Sequence, residues 1–213
     1  NALESMTHRG AIGADGKTGD GCGILVDLDK NFFEEALFKE QSIKIKDEFA
    51  IGQIFLDHQI DSVLPKIKKI LKNENLDLTA VRKVPVNKKI LGEIALDCLP
   101  NIYQLFIQCT DTTFYEEQFE TNLYQARKLI EEIYSDDEKL YFCSLSYKTI
   151  VYKGLMLPNA IKEFYLDLKS PNFRSSICVF HQRFSTNTHP RWHLAQPFRL
   201  LAHNGEINAI RGN

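Results

Sequence analysis

A sheet-containing α+β domain is the fold class this sequence predicts, on three observations. Apolar stretches with strand-like patterning interleave with segments whose apolar residues recur every three or four positions, the period of a helix lying on a sheet. No repeat, low-complexity tract or Pro/Gly/Ser-rich linker divides the chain. Its 213 residues, 44% of them hydrophobic, are enough to bury a core of their own, and residues 1–213 are read as one domain.

Residues 10–23, within HRGAIGADGKTGDGCG, hold too many glycines for any regular element and read as tight turns that bring backbone close to another group. The phosphate-loop patterns are not matched there. Cys22 to Leu28 alternates as a strand, and Asn31 followed by Glu34 resembles a capping box opening a helix through Lys39. Phe49 to Leu56 is a second strand. From Ile60 to Lys72, Ile60, Leu64, Ile67, Ile70 and Leu71 share one face with lysines opposite, as in an amphipathic helix whose apolar side covers a sheet. Thr79 to Val86 and Ile102 to Cys109 read as strands, and Asn87 to Pro100 between them shows no clear element. Phe114 to Tyr134 is the longest helix, with Phe119, Leu123, Ala126, Ile130 and Ile133 as its core face. Leu140 to Leu145 and Lys148 to Tyr152 are a pair of strands joined by a tight turn. Leu157 to Phe164 reads as a short helix, and Ser175 to Ser185 as a strand that delivers Arg183.

Charge and cysteine usage exclude several function classes. Lys and Arg number 26 against 28 Asp and Glu, a formal charge of −2 with no long run of one sign, so nucleic acid is not an expected partner. Apolar runs such as Ile24 to Val26 fall far short of the roughly 20 residues that cross a membrane, and no membrane partner is expected. The five cysteines, Cys22, Cys98, Cys109, Cys143 and Cys178, are odd in number, widely spaced and without CxxC, which suits reduced thiols in apolar strand-like segments. Cys22 in TGDGCG has nucleophile-friendly neighbours, yet a small-residue packing role is the expectation. His181, His189, His193 and His203 crowd the last quarter. His189 and His193 have the i, i+4 spacing of helical metal ligands, but Pro190 lies between them, so no metal site is expected. His181 and His203 fit core or supporting positions better.

The chemistry concentrates in residues 180–213, FHQRFSTNTHPRWHLAQPFRLLAHNGEINAIRGN. Arg183 is a fixed cation in an apolar strand, suited to gripping a carboxylate in bidentate fashion. Asn204 and Gly205 pair an amide side chain with a sterically open backbone N–H, the donor set that an oxyanion needs in acyl transfer. No nucleophile sits near these donors in the sequence.

HQRFSTN at 181–187, LAQPFRLLAHNGEIN at 194–208 and THRGAIGADGKTGDGCGIL at 7–25, with YKGLMLP at 152–158 between them, closely resemble the amidotransferase domain of glutamate synthase large subunits. That domain is of the class II, N-terminal-nucleophile type, and the resemblance spans essentially all 213 residues. It implies a four-layer α/β/β/α sandwich, incomplete at both ends. It also implies an N-terminal cysteine nucleophile lying before Asn1, whose own α-amino group is the general base, and an acidic substrate-binding residue beyond Asn213. Arg183 would then bind the α-carboxylate of L-glutamine, Asn204 and Gly205 would form the oxyanion hole, and Arg9 and Gly10 would line the site. A chain lacking the nucleophile would be inactive by itself.

In such an enzyme the ammonia released from glutamine passes to a synthase domain of the same polypeptide, carrying FMN and a 3Fe-4S cluster, where 2-oxoglutarate is aminated to glutamate. None of those cofactors is expected within these residues. Electrons would come from ferredoxin or from an NAD(P)H-dependent small subunit. Richness in Lys, Ile and Asn is the bias of an AT-rich genome, which points toward ferredoxin and the plastid stroma, or the cytoplasm of a bacterium. The rival readings are a non-catalytic binding or regulatory module on the same fold and a metal-dependent hydrolase. The joint presence of Arg183 and Asn204-Gly205 argues against the first, and Pro190 between His189 and His193 against the second.

Overall fold

The computed structural model describes residues 2–5, 7–45, 48–111, 115–134, 140–182 and 189–198, with the backbone alone at Arg9. Six helices and seven strands follow in the order α1 (Ala2–Ser5), β1 (Cys22–Asp27), α2 (Lys30–Gln41), β2 (Ala50–Leu56), α3 (Leu64–Asn73), β3 (Leu76–Lys83), α4 (Glu93–Asp97), β4 (Asn101–Cys109), α5 (Glu116–Ile133), β5 (Leu140–Ser146), β6 (Thr149–Gly154), α6 (Ile161–Phe164) and β7 (Cys178–His181). The strands form two antiparallel sheets among the described residues, one ordered β6-β1-β7 and the other β3-β4-β2-β5.

Side-chain alternation explains how the layers meet. In β2, Ile51 and Phe55 point into a core shared with Cys22, Val26, Ile150 and Tyr152 of the other sheet. Ala50, Ile54 and Leu56 of the same strand point the other way, onto Ile67, Ile70 and Leu71 of α3 and Phe119, Leu123, Ala126 and Ile130 of α5. Every residue of β2 is therefore buried. The α+β class holds, with two antiparallel sheets that share one apolar core and with α3 and α5 packed on the four-stranded sheet across a second.

A line of polar groups crosses the inter-sheet core. The Gln53 amide donates to the Val151 carbonyl at 2.8 Å, and Gln104 donates to Gln53 at 3.1 Å. Arg82, 2% exposed, donates to Gln104 at 2.8 Å, to Asp167 at 2.8 and 2.9 Å and to Glu40 at 2.7 and 2.9 Å. Burial pulls the guanidinium pKa down, but its hydrogen bonds to Asp167 and Glu40 outweigh that and hold it charged. The network ties β3 to α2 and to the helical turn Leu166–Lys169.

Several local expectations need correction. The N-cap of α2 is Asp29, whose carboxylate accepts the Phe32 N–H at 3.2 Å, so Asn31 lies inside the first turn and makes no capping box. Asp29 wins because its other oxygen accepts the Arg174 N–H at 2.8 Å. The helix expected from Ile60 is a 3-10 turn, Ile60–Ser62, followed by α3, because Pro65 can occupy only the first turn of a helix. Strand β3 starts at Leu76 and ends at Lys83, before Pro85, leaving Val86 a single bridge to Tyr165. Residues 87–100 hold a 3-10 turn, Lys88–Ile90, and α4. Ile133 is 43% exposed and not core. The turn after β5 carries the chain from one sheet to the other. It is pinned by the Glu120 carboxylate, which accepts the Ser146 hydroxyl at 2.6 Å and the Tyr147 N–H at 2.9 Å. Residues 157–164 split into Pro158–Ala160 and α6, and β7 spans Cys178–His181, starting three residues later than expected, while residues 183–185 of the expected strand lie outside the described residues.

Asp167→Ala would leave Arg82 buried with one of its two bidentate carboxylate partners gone and only Glu40 remaining, and we expect urea denaturation to show a loss of about 2–3 kcal/mol. The double variant Arg82→Met/Asp167→Leu should cost less than Asp167→Ala alone, since the guanidinium that lost a partner is then gone as well. A loss below about 1 kcal/mol for Asp167→Ala contradicts this account of the core.

Candidate active site

Residues 7–23 are ordered by their own backbone rather than by regular structure. A 3-10 turn at Thr7–Arg9 is followed by a small hairpin closed by Gly13 N–H to Thr18 O at 2.7 Å and by the Ile12–Gly19 bridge. Asp15 organises the tip: it accepts the N–H groups of Thr18 at 2.7 Å, Lys17 at 3.0 Å and Ile94 at 3.2 Å. Those bonds, the Thr18 hydroxyl first among them, hold its carboxyl far below the usual range. Thr18 Oγ1 in turn accepts the Ala95 N–H at 3.2 Å, so the tip caps α4. The N–H donors that a phosphate would want are already bound to Asp15.

Two glycines permit contacts that no side chain would allow. A Cβ on Gly19 would strike the Met156 carbonyl, and one on Gly23 would strike the Gln196 carbonyl oxygen, the Lys153 Cβ and the Tyr152 oxygen. Strand pairing supports the same assembly: β1 aligns Cys22 with Gly154 of β6 and Gly23 with His181 of β7. Segments 7–25, 152–158, 178–182 and 194–198, far apart in sequence, thereby meet at one end of the three-stranded sheet.

The start of β7 is fixed by Asp27 at the end of β1. Its carboxylate accepts the Ser176 hydroxyl and N–H, the latter at 2.9 Å, the Ser175 hydroxyl at 2.9 Å and the Ile177 N–H at 3.0 Å. These bonds, led by the Ser176 hydroxyl, hold the carboxyl well below the ordinary range. At the other end of β7, Gln182 is 3% exposed and its amide donates to the Thr7 carbonyl at 3.2 Å. Its amide oxygen has no hydrogen-bond partner among the described residues. Gly10 lies against the same amide, close enough that a Cβ there would collide with it.

Of the five predicted site residues, the structure places Gly10, next to the residue that precedes Arg183. Arg183, Asn204, Gly205 and the Arg9 side chain lie outside the described residues, as does His203. Residues 189–198, between Arg183 and Asn204, are described and firmly held. Trp192 is 4% exposed, donates Nε1–H to the Ala95 carbonyl at 3.1 Å and packs edge-on to Phe55. Lys153 of β6 is fully buried and donates to the His193 carbonyl at 2.8 Å and the Tyr141 hydroxyl at 2.9 Å.

Cys22 is fully buried, and burial first, then the charge of Asp20, pushes its thiol pKa far up, which fits packing and not attack. All five cysteines are free thiols, but Cys98 and Cys178 are exposed rather than embedded. His181 is half-buried, and burial lowers its pKa against an opposing pull from Asp20, which favours the neutral ring. His189 lies outside any helix and His193 in the one-turn helix Trp192–Leu194, so their spacing does not put them on a common helical face. Among the described residues no group of three or more His, Cys, Asp or Glu is placed to hold a metal, and no helix is long and apolar enough to cross a membrane. Sequence reasoning missed Lys153, Gln182 and Asp27. The lone charge in the apolar strand TIVYKG was the available signal for Lys153.

A family model for class-II glutamine amidotransferases matches residues 1–213. The chain belongs to that family. It is similar to the ferredoxin-dependent glutamate synthase 1 (chloroplastic/mitochondrial) of Arabidopsis thaliana, 44% identical over 223 residues covering 100% of this chain and 13% of that protein. The ferredoxin-dependent glutamate synthase of Cyanidium caldarium is 41% identical over 223 residues, and the NADPH glutamate synthase large chain of Azospirillum brasilense 40% over 218; each match covers 100% of this chain and 14% of the relative. The chain thus spans about one-seventh of the length of the curated relatives it matches.

Proposed function

We propose that this chain is the glutaminase part of a glutamate synthase, occupying residues 1–213 of an amidotransferase domain built as a four-layer α/β/β/α sandwich. The observation that carries the reading is the convergence of segments 7–25, 152–158, 178–182 and 194–198, since Arg183 directly follows one of them and Asn204-Gly205 follows another by a few residues. In this reading a cysteine thiolate elsewhere in the polypeptide attacks the side-chain carboxamide of L-glutamine. Arg183 pairs with the substrate α-carboxylate, and Arg9 and Gly10 form the wall beside the nucleophile. Asn204 and the Gly205 N–H receive the negative oxygen of the tetrahedral intermediate. Collapse expels ammonia and leaves a glutamyl thioester that water hydrolyses.

The ammonia then serves reductive amination of 2-oxoglutarate in a synthase domain, for which FMN and a 3Fe-4S cluster would supply the electron transfer outside these residues. Ferredoxin is the favoured electron donor and the plastid stroma the favoured compartment, on the names of several relatives; the Azospirillum relative is named for NADPH, so a bacterial, cytoplasmic form with an NAD(P)H-dependent small subunit is the alternative.

Two substitutions in the full-length polypeptide test the roles separately. Arg183→Lys keeps the charge but loses the planar fork, so KM for glutamine should rise steeply while ammonium-driven synthesis persists. An unchanged KM makes Arg183 a structural residue. Asn204→Asp turns a donor into an anion facing the oxyanion, and kcat should fall by about 10² to 10³ or more with a much smaller effect on KM. Retention of more than about a tenth of the glutaminase kcat rules out the oxyanion role.

A further inference from the structure

We propose that Lys153 is a positioning residue for the glutaminase reaction, a buried cation that locks residues 191–198, which lie in the sequence between Arg183 and Asn204; this rests on the functional reading above. Lys153 is fully buried on β6, and its stem lies against Gly23 of β1. Its ammonium sits 4.5 Å from the Tyr141 ring centroid and 4.9 Å from that of Phe198, and donates to the Tyr141 hydroxyl and the His193 carbonyl. Two of these four contacts are to the 191–198 arm, at His193 and at Phe198, and the other two are to β5.

The arm's other anchors leave a specific job for this lysine. Trp192 fixes its start against Ala95, and Gln196 crosses the bare backbone of Gly23. Phe198 is the last described residue of the arm, the sequence runs on from it to Asn204, and the Lys153 ammonium lies over its ring. A cation between two aromatic faces and two oxygens, in a site closed to water, has a narrow set of geometries. An apolar side chain of the same length would fill the volume without fixing that end. Lys153 therefore sets where the chain leaves toward Asn204-Gly205 without touching substrate.

The test uses the full-length enzyme and a chloroketone analogue of glutamine, which alkylates the nucleophilic thiol with loss of chloride. Label stoichiometry counts folded sites, and the rate per labelled site reports alignment. Lys153→Met retains the stem and removes the donors. Its rate per site and its glutamine kcat should fall about ten- to a hundredfold, with KM nearly unchanged and ammonium-driven synthesis intact. Phe198→Leu, a milder change at a partly exposed residue, should lower the same rate about two- to fivefold, so the inference stays testable if Lys153→Met fails to fold. Wild-type rates per site in the variants that fold overturn the positioning role. Arg183→Ala in the same assay separates the two claims: normal turnover there defeats the functional reading, whereas a dead Arg183→Ala beside a fully active Lys153→Met defeats only the inference about Lys153.

Discussion

Backbone crossing on backbone is the constraint on which the site depends. At Gly23, β1 lies so close to the Gln196 carbonyl and to Tyr152 and Lys153 of β6 that no Cβ fits, and at Gly19 the loop before it lies equally close to Met156. Main-chain groups at that range fix relative position within a few tenths of an ångström, as packed interiors do. Around this crossing, the hairpin tip held by Asp15 and the Trp192 arm both reach α4, at Ile94 and Ala95, and the 3-10 turn Thr7–Arg9 is held by Gln182 just after β7. Short-range order in a segment with almost no regular secondary structure thus comes from the absence of side chains, with Asp15 and Thr18 supplying the hydrogen bonds that a sheet would otherwise provide.

The inter-sheet core supplies the rigid platform beneath. Because β2 is apolar on both faces, it serves two cores at once, and a one-residue slip would exchange them. The chain of Gln53, Gln104, Arg82 and Asp167 marks the register inside the otherwise apolar layer, since each polar group is satisfied only when the strands are aligned as they are. Buried ionic groups of this kind add little net stability, and their value here is to single out one alignment.

Much of the fold was legible because its strongest signals are periodic. Helix α5 and the strands β1, β2 and β4 were placed to within a residue or two. Part of what failed turned on local prolines, Pro65 and Pro85, and part on partners remote in sequence. Asp29 displaced Asn31 as the cap of α2 through Arg174, 145 residues away, and β3 took in Leu76 and Asp77 because β4 offered Cys109 and Gln108 opposite them. The proposed site was read from its motifs, Arg183 and Asn204-Gly205 above all, which lie outside the described residues, while its supports were not read from the sequence. Lys153 looks like an ordinary exposed strand lysine until Tyr141, His193 and Phe198 are brought around it, and Asp27 looks like a strand-end acid until the Ser175-Ser176 turn folds onto it.

A comparison of two glycines tests the crossing most directly. Gly16 sits at φ 70° with open space where a Cβ would go, so Gly16→Ala introduces backbone strain alone, whereas Gly23→Ala introduces a collision at the junction of β1, β6 and the arm. In the full-length polypeptide, release of ammonia from glutamine should survive Gly16→Ala and be lost in Gly23→Ala while ammonium-driven synthesis continues. Equal glutamine turnover by the two variants would contradict the claim that this crossing assembles the site.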